Sequence, residues 1–410
     1  MRLEIKNGMT LDLGSSPSRL IDVEPAAVAL MGADYPGVRP QLAVAAGDLV
    51  EQGDVLFVDR ARPALCFTAP AAGRISAVHL GARRHVDAVV IEADPGRAAP
   101  ILLSREARSA DDVRQALLAS GLWPALRCRP YDRIPGPEER AAELYVTAID
   151  TQPLAPDPAP IIQARADEFR EGIARLSMLV ETCYVCMASG ADLPCPESAG
   201  VVPVSVSGPH PAGLPGTHIY GVAALRNAGP PSAEVWHVGY QDVIAIGALF
   251  LGGRLDARRT VAVCGPELRD GRLVRTRCGA VLGDLIGALP DNMMVISGSV
   301  LSGREAGRMT GFLGRYHQQV VVLPAAAEGA AVADGSGMLA LECFERVWPL
   351  GIPVLPVLKA VLVEDSETLA SLGATHLAPE DLSLCAYLCP SRLDFGAALE
   401  RTLDALRRGD

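Results

Sequence analysis

The residues best suited to chemistry are three cysteines, Cys183, Cys186 and Cys195, in the run "CYVCMASGADLPC". A C-x2-C step is a spacing found at metal and redox sites. No fourth ligand follows nearby, although His210 and His218 lie further along the chain. Two readings stand: a Cys-ligated metal site, or thiols buried on a strand and its following loop. A second group is His210, His218, Trp236 and His237. Imidazoles beside an aromatic wall can hydrogen-bond the carbonyls of a planar ring. The competing reading is a loop braced by the glycines and prolines of "GPHPAGLPGTH", whose histidines bond only the backbone. Arg272, Arg275 and Arg277 read as one face of a strand, solvated or at an interface. "ISGSVLSG" has serines but lacks a strand–nucleophile–helix context, so it reads as a turn. No complete catalytic site is expected in this chain.

These residues must be positioned by several domains, because 410 residues is long for one. Residues 1–95 alternate short strands and glycine turns: "VAAGDLVEQGDVLFV", "CFTAPAAGRISAV", "AVVIEA". That pattern predicts a barrel-sandwich domain of the biotinyl/lipoyl type. A carrier version needs a lysine at the hairpin tip, here Asp59–Pro63, and the chain has only Lys6 and Lys359. An arginine cannot be the acylated amine, so the module is read as rigid. Residues 96–255 alternate helical and extended patterns, including "AELYVTAID" and "YQDVIAIGALFLGG". They predict a Rossmann-like α/β domain with a largely parallel sheet. Residues 256–325 return to strands, as a β-grasp module. Residues 326–410 open on an Ala/Gly stretch, Ala325–Gly337, and then turn helical, ending in an amphipathic helix over 396–408. The fold class is α/β multidomain.

Composition narrows the partners. A formal charge of −11 and 4% aromatic residues argue against nucleic acid, which requires a basic face and stacking platforms. No apolar run approaches the roughly 18 residues that span a bilayer, and Met1–Leu13 has no apolar leader core. The expectation is a cytoplasmic chain without direct membrane insertion, whose ten cysteines are thiols or ligands.

Longer stretches carry a family resemblance. They are "SGLWPALRCRPYDRIP" (Ser120–Pro135), "VTAIDTQPLAPDP" (Val146–Pro158), "GPHPAGLPGTHIY" (Gly208–Tyr220) and "VWHVGYQDVIAIGALFLGGRL" (Val235–Leu255), with "RLVRTRCGA", "ISGSVLSG" and "LGRYHQQVVVL" after them. Together they resemble the NqrA family, the first of the subunits of the sodium-translocating NADH:quinone oxidoreductase, over nearly the whole chain. More distantly this family is similar to the C subunit of Rnf complexes and the flavin-bearing subunit of complex I.

The resemblance implies a β-grasp domain of the SLBB type. It also implies a peripheral subunit on the cytoplasmic face of the bacterial inner membrane. The partners it implies are an integral membrane subunit (NqrB-like) and the other subunits of the complex. It implies a role in quinone interaction, ubiquinone included, with His210, His218, Trp236 and His237 as candidate contacts. Neither FMN nor an Fe–S cluster is expected. The flavin relatives use a glycine-rich loop where Ser120–Pro135 carries Trp123, Pro124, Arg127, Arg129 and Pro130, and only Cys385 and Cys389 remain of a four-cysteine motif. After Leu323 this chain is shorter than typical members, over Pro324–Glu342. That leaves an alternative, an adaptor in a different oxidoreductase complex.

Overall fold

The computed structural model describes residues 1–14, 17–81, 85–97, 100, 107–266, 268, 271–288, 292–307, 311–325 and 341–408. Most of the Ala/Gly stretch at 325–337 and of the shortened segment at 324–342 lies outside them.

Two small antiparallel sheets make the barrel-sandwich. One orders Ala27–Met31, Val86–Ala93, Gly73–Leu80 and Leu49–Val50; the other orders Pro40–Leu42, Val55–Asp59 and Arg62–Thr68. Alternation puts Phe57 and Phe67 inward, where their rings stack at 4.6 Å and Tyr35 meets Phe67 edge-on at 4.6 Å. The hairpin tip is pinned. Asp59 is 1% exposed; it accepts the Ala61 N–H at 3.1 Å and Arg62 Nε at 2.8 Å. Arg62 Nη1 in turn donates to the Ile134 carbonyl of the next domain at 3.0 Å. A tip tied at both ends is a strut rather than a swinging arm.

The domain expected over 1–95 takes its strands from residues 27–93 only. The preceding segment staples two other domains. Arg2–Glu4 adds a parallel edge strand to the α/β sheet, and Leu20–Asp22 adds one to the third domain's sheet. Leu3 and Ile5 are buried where they do so. Three residues are too short to show strand periodicity, so this pairing had no sequence signal.

The α/β sheet runs Arg2–Glu4, Val201–Ser207, Thr182–Ala188, Glu143–Ala148, Val235–Gly239, Arg127–Arg129; only the last pairing is antiparallel. Its central strands are buried on both faces, which explains their continuous apolar runs. Leu144, Val146, Cys183, Val185, Trp236 and Val238 belong to one core layer, with residues of helices Ala166–Ser177 and Tyr240–Gly252. Tyr145, Tyr184, Cys186, Val204 and Val206 belong to the other, with Ile219 and Val222 of helix Pro215–Leu225. Gly253 ends the long helix in the left-handed conformation, φ 69°, a position suited to a residue without Cβ.

The third domain is a mixed sheet ordered Arg304–Glu305, Met293–Ser297, Gln319–Pro324, Arg258–Cys264, Arg272–Arg277, Leu20–Asp22, with helix Leu282–Ile286 in its core. Arg275 and Arg277 pair with Asp22 and Glu24. Arg272 does not share their face. A strand alternates every residue, and Arg272 instead donates to the Leu285 and Ile286 carbonyls. The C-terminal domain packs Val354–Leu362, Ser383–Leu388 and Phe395–Arg408 around Phe344, Val357, Leu358, Phe395 and Leu399.

Candidate functional site: the carboxyl edge of the parallel sheet and its buried ion network

From Glu143–Ala148 the chain moves outward through Thr182–Ala188 to Val201–Ser207, then returns to Val235–Gly239 on the other side of its starting strand. Strand order reverses between Glu143–Ala148 and Val235–Gly239, the usual place for a ligand in such sheets, whereas a crevice opens one strand away, beyond the carboxyl ends of Glu143–Ala148 and Thr182–Ala188. Asp150 and Thr151 leave the first strand at this point, His210 follows the third, and Tyr240 follows the last.

His210 is 2% exposed. Its Nδ1 lies 3.2 Å from Thr151 Oγ1, which also accepts the Gly213 N–H at 2.8 Å. Its Nε2 is buried with no partner among the described residues. Burial pushes the imidazole down to about 4, so it is neutral at pH 7 and available only as a hydrogen-bonding group. His218 must donate from Nε2 to the Ala212 carbonyl at 2.9 Å, which makes Nδ1 the bare acceptor. It thereby braces the loop that carries His210. Burial also takes His218 down to about 4.

His237 lies in a different environment. Its Nε2 accepts from Arg129 Nε at 3.4 Å, and burial again brings it to about 4. Trp236 is next in sequence and therefore on the opposite face. It sits in the core edge-on to Trp123 at 5.5 Å, with its Nε1 donating to Glu234 at 2.9 Å. The four residues grouped by sequence thus divide between a loop at the carboxyl edge, an ion network and an apolar core.

Sequence reasoning missed the ion network. Arg129 is 0% exposed. It donates to the His376 carbonyl at 2.9 Å, to Asp381 at 3.3 Å and to Glu380 at 3.2 Å, and its Nε lies 3.4 Å from Asp132. Arg127 pairs with Asp132 at 2.9 Å and lies over the Tyr316 ring at 5.3 Å. Burial alone would raise the Asp132 carboxyl; Arg127, Arg129 and His237 overcome it and hold the group well below its usual range. Burial wins at Glu380, which rises to about 7, and at Asp381, which also rises. The Arg129–Arg133 loop, with Tyr131 and Asp132 both at positive φ, therefore joins the α/β domain to the helical one. The sequence signal was the arginines in "LRCRPYDR", which stand where a phosphate loop would have glycine.

A flavin phosphate does not fit there. Trp123, Arg127 and Arg129 are buried and engaged, and Gly121 is spent on packing, since a Cβ there would lie 2.6 Å from Thr68 Cγ2 of the barrel-sandwich. The cysteine pattern also reads differently in three dimensions. Cys183 and Cys186 lie on one strand three residues apart, so their thiols occupy opposite core layers and cannot ligate one ion. Cys195 packs on the Cys183 side. Burial pushes Cys183 to about 12, which disfavours the thiolate a metal needs. Cys385 and Cys389 lie in the apolar core of the helical domain. Among the described residues, only Cys128, Glu139 and Glu234 come within ligating distance of one another. Arg133 already bridges their two carboxylates, at 2.6 and 3.0 Å.

The crevice itself is lined by Ala148, Ile149, Asp150, Ala155–Ala159 and, from the neighbouring strand and its loop, Ala188 and Ala191, and encloses about 210 Å³. Asp150 is half-buried, and burial raises its carboxyl to about 7 against one backbone hydrogen bond, from Gln152 at 2.8 Å. A carboxyl raised on folding costs stability that builds from its ordinary value up to the folded value of about 7. Asp150→Asn is therefore expected to raise the melting temperature most near pH 8, above the folded value, and clearly less near pH 5, where only part of the cost has built up. Thermal unfolding at the two pH values checks this.

Fold and site together define a multidomain α/β chain whose domains are locked by buried ion pairs and whose nucleotide-loop position is filled. Family models match in chain order: the NqrA N-terminal barrel-sandwich hybrid domain over 3–94, the NqrA second alpha/beta domain over 108–255, and the NQRA C-terminal domain (SLBB) over 260–308. Among curated relatives, the NqrA subunit of the Na(+)-translocating NADH-quinone reductase of Neisseria meningitidis is 37% identical over 99% of both chains. That of Pseudomonas aeruginosa is 39% identical over 98% of both, and that of Klebsiella pneumoniae 39% over 99%. The chain belongs to the NqrA family of sodium-translocating NADH:quinone reductase subunits. A looser likeness is to an NAD+-reducing [NiFe]-hydrogenase, at TM-score 0.42 and 14% identity, covering 73% of this chain and 61% of that one.

Proposed function

We propose that the chain is the peripheral subunit of a sodium-translocating NADH:quinone reductase, held on the cytoplasmic face by an integral membrane partner, and that it takes part in quinone interaction and assembly. The observation that carries this reading is the end-to-end match to NqrA relatives. NADH oxidation and the flavins are assigned to other subunits, because Trp123, Arg127 and Arg129 occupy the position of a phosphate loop. Sodium passage is likewise assigned elsewhere. It needs a polar path through the membrane, and among the described residues no helix is long and apolar enough to cross one. For the quinone, His210 offers a buried, unpartnered Nε2 near the carboxyl edge, with His218 bracing its loop. His237 and Trp236 lie apart from it, in the ion network and the apolar core.

An adaptor role in another complex draws on one observation. The match to the Neisseria relative spans 453 positions, more than the 410 residues here, so that relative carries insertions this chain lacks. Affinity capture from mildly solubilised membranes separates the two. Recovery of the membrane and flavin-bearing subunits of the sodium pump is expected; recovery of an unrelated oxidoreductase without them would replace this reading with the adaptor.

A further inference from the structure

The first three domains meet at a buried chain of charges that does not balance. We propose that this junction binds one small oxyanion, of the phosphate or carboxylate type, on the guanidinium edge of Arg304. Neither family membership nor a quinone role calls for such a site.

The chain of charges crosses all three domains. Asp34 ends the turn Gly32–Asp34 of the barrel-sandwich, and its side chain is buried. Its Oδ1 accepts from Arg304 Nη1 at 2.9 Å and its Oδ2 from the Arg315 backbone N–H at 2.9 Å, both of the third domain. Arg315 Nη2 then donates at 2.8 Å to Asp242 Oδ1, in the first turn of helix Tyr240–Gly252 of the α/β domain. Arg259 donates to the same oxygen. That sets three arginines against two aspartates. Among the described residues no further carboxylate pairs with any of these arginines. Arginine does not give up its proton in a protein, so one formal positive charge is left over in a largely buried setting. Such a charge is costly unless it is matched.

Unmatched donors mark where the ion belongs. Arg304 Nε and Nη2 are buried without a hydrogen-bond partner among the described residues, and so is Arg315 Nη1. Nε and Nη2 form one edge of the guanidinium. That edge is the fork that takes two oxygens of a carboxylate or phosphate through parallel N–H···O bonds. A bridging water can satisfy a donor, but it brings no charge. The Arg304 side chain as a whole is 23% exposed, so the buried edge lies close beneath the surface, within reach of a small ion. His317 stands beside this pair, with Nδ1 2.9 Å from Ser297 Oγ. Burial takes its imidazole down to about 4, while Asp34 and Arg304 act on it in opposite directions. It is therefore neutral at pH 7 and leaves the excess positive charge as it is.

The test is thermal unfolding of the full chain, titrated with sodium phosphate and separately with sodium acetate at pH 7. Sodium chloride holds the ionic strength constant. Phosphate also stabilises proteins generally, by exclusion from their surface, but that effect grows without saturating, whereas binding at a site saturates. The native chain is expected to show a saturating rise in melting temperature. Saturation by phosphate alone assigns a phosphate-type ion, and saturation by acetate a carboxylate. Arg304→Lys keeps a charge facing Asp34 but loses the fork, and should weaken the affinity about tenfold or more. Asp34→Asn removes a competing negative charge and should tighten it, a change of opposite sign that a merely loosened junction does not give. Arg275→Lys, at the exposed pair with Asp22, should leave it unchanged. No saturating response to either anion would overturn the inference. So would a response that neither Arg304→Lys nor Asp34→Asn alters, whatever affinity capture shows for the sodium pump.

Discussion

Replacing Arg129 with alanine is expected to destabilise the chain by about 3–5 kcal/mol near pH 8, the range for removing one partner of a buried ion network. The size follows from what is left behind. Arg129 is fully buried and is the cation shared by Asp132, Glu380 and Asp381. Without it, three carboxyls remain at the contact between the α/β and helical domains, with Arg127 paired to the first and acting on Glu380 only at longer range. The sign of the pH dependence can be worked out. Burial has already raised Glu380 to about 7 and raised Asp381, and losing the arginine raises both further. Protonation then relieves the unpaired charge, so the loss should shrink as pH falls toward 5.5. Denaturant unfolding at pH 8 and 5.5 measures it. A loss below about 1 kcal/mol at pH 8, as for an exposed pair, would mean that the network does not hold the domains together.

The second large effect concerns packing. Helices Ala166–Ser177 and Tyr240–Gly252 meet backbone to backbone through Gly172 and Gly247. A Cβ on Gly247 would overlap the Glu168 carbonyl and lie 2.8 Å from the Gly172 nitrogen; one on Gly172 would overlap the Val243 carbonyl. Alanine in a helix interior ordinarily gains about 1 kcal/mol over glycine. Here the neighbour is main chain, which cannot rotate aside. Overpacking that costs about 1–3 kcal/mol, occasionally more, outweighs the gain. Gly247→Ala is therefore expected to destabilise by about 2 kcal/mol, and Gly247→Leu by more than about 3 kcal/mol. Gly252→Ala in the same helix has open space and should be nearly neutral. Thermal or denaturant unfolding of the three variants compares them. Equal effects at 247 and 252 would show that propensity, not helix contact, sets the result.

The long elements were legible in the sequence. Glu143–Ala148, Tyr240–Gly252 and Phe395–Arg408 lie within a few residues of their expected limits, because each has a long run of one periodicity. Pairing at a distance was not legible. Nothing in Arg2–Glu4 or Leu20–Asp22 marks them as edge strands of domains roughly 200 residues away in sequence. The site was partly legible. His210 and His218 stand out as residue types and lie in one loop and helix, whereas His237 and Trp236 are separated by the alternation of a single strand. Alternation also splits Cys183 from Cys186 and Arg272 from Arg275. Asp150 carries no sequence signal, because an aspartate after a strand is unremarkable until its burial is known. Arg129 stands out only as a residue that is not glycine; its carboxylate partners Glu380 and Asp381 lie about 250 residues later.

Whether this chain works as the NqrA subunit of a sodium-translocating NADH:quinone reductase is tested most directly by reconstitution. The purified chain is added to membranes from a strain lacking its own gene, and sodium-stimulated NADH:ubiquinone reduction is followed. Activity should be absent before addition and return on adding the native chain. Activity that is already present without the chain, or that stays absent after it is added and shown to bind, would contradict that role.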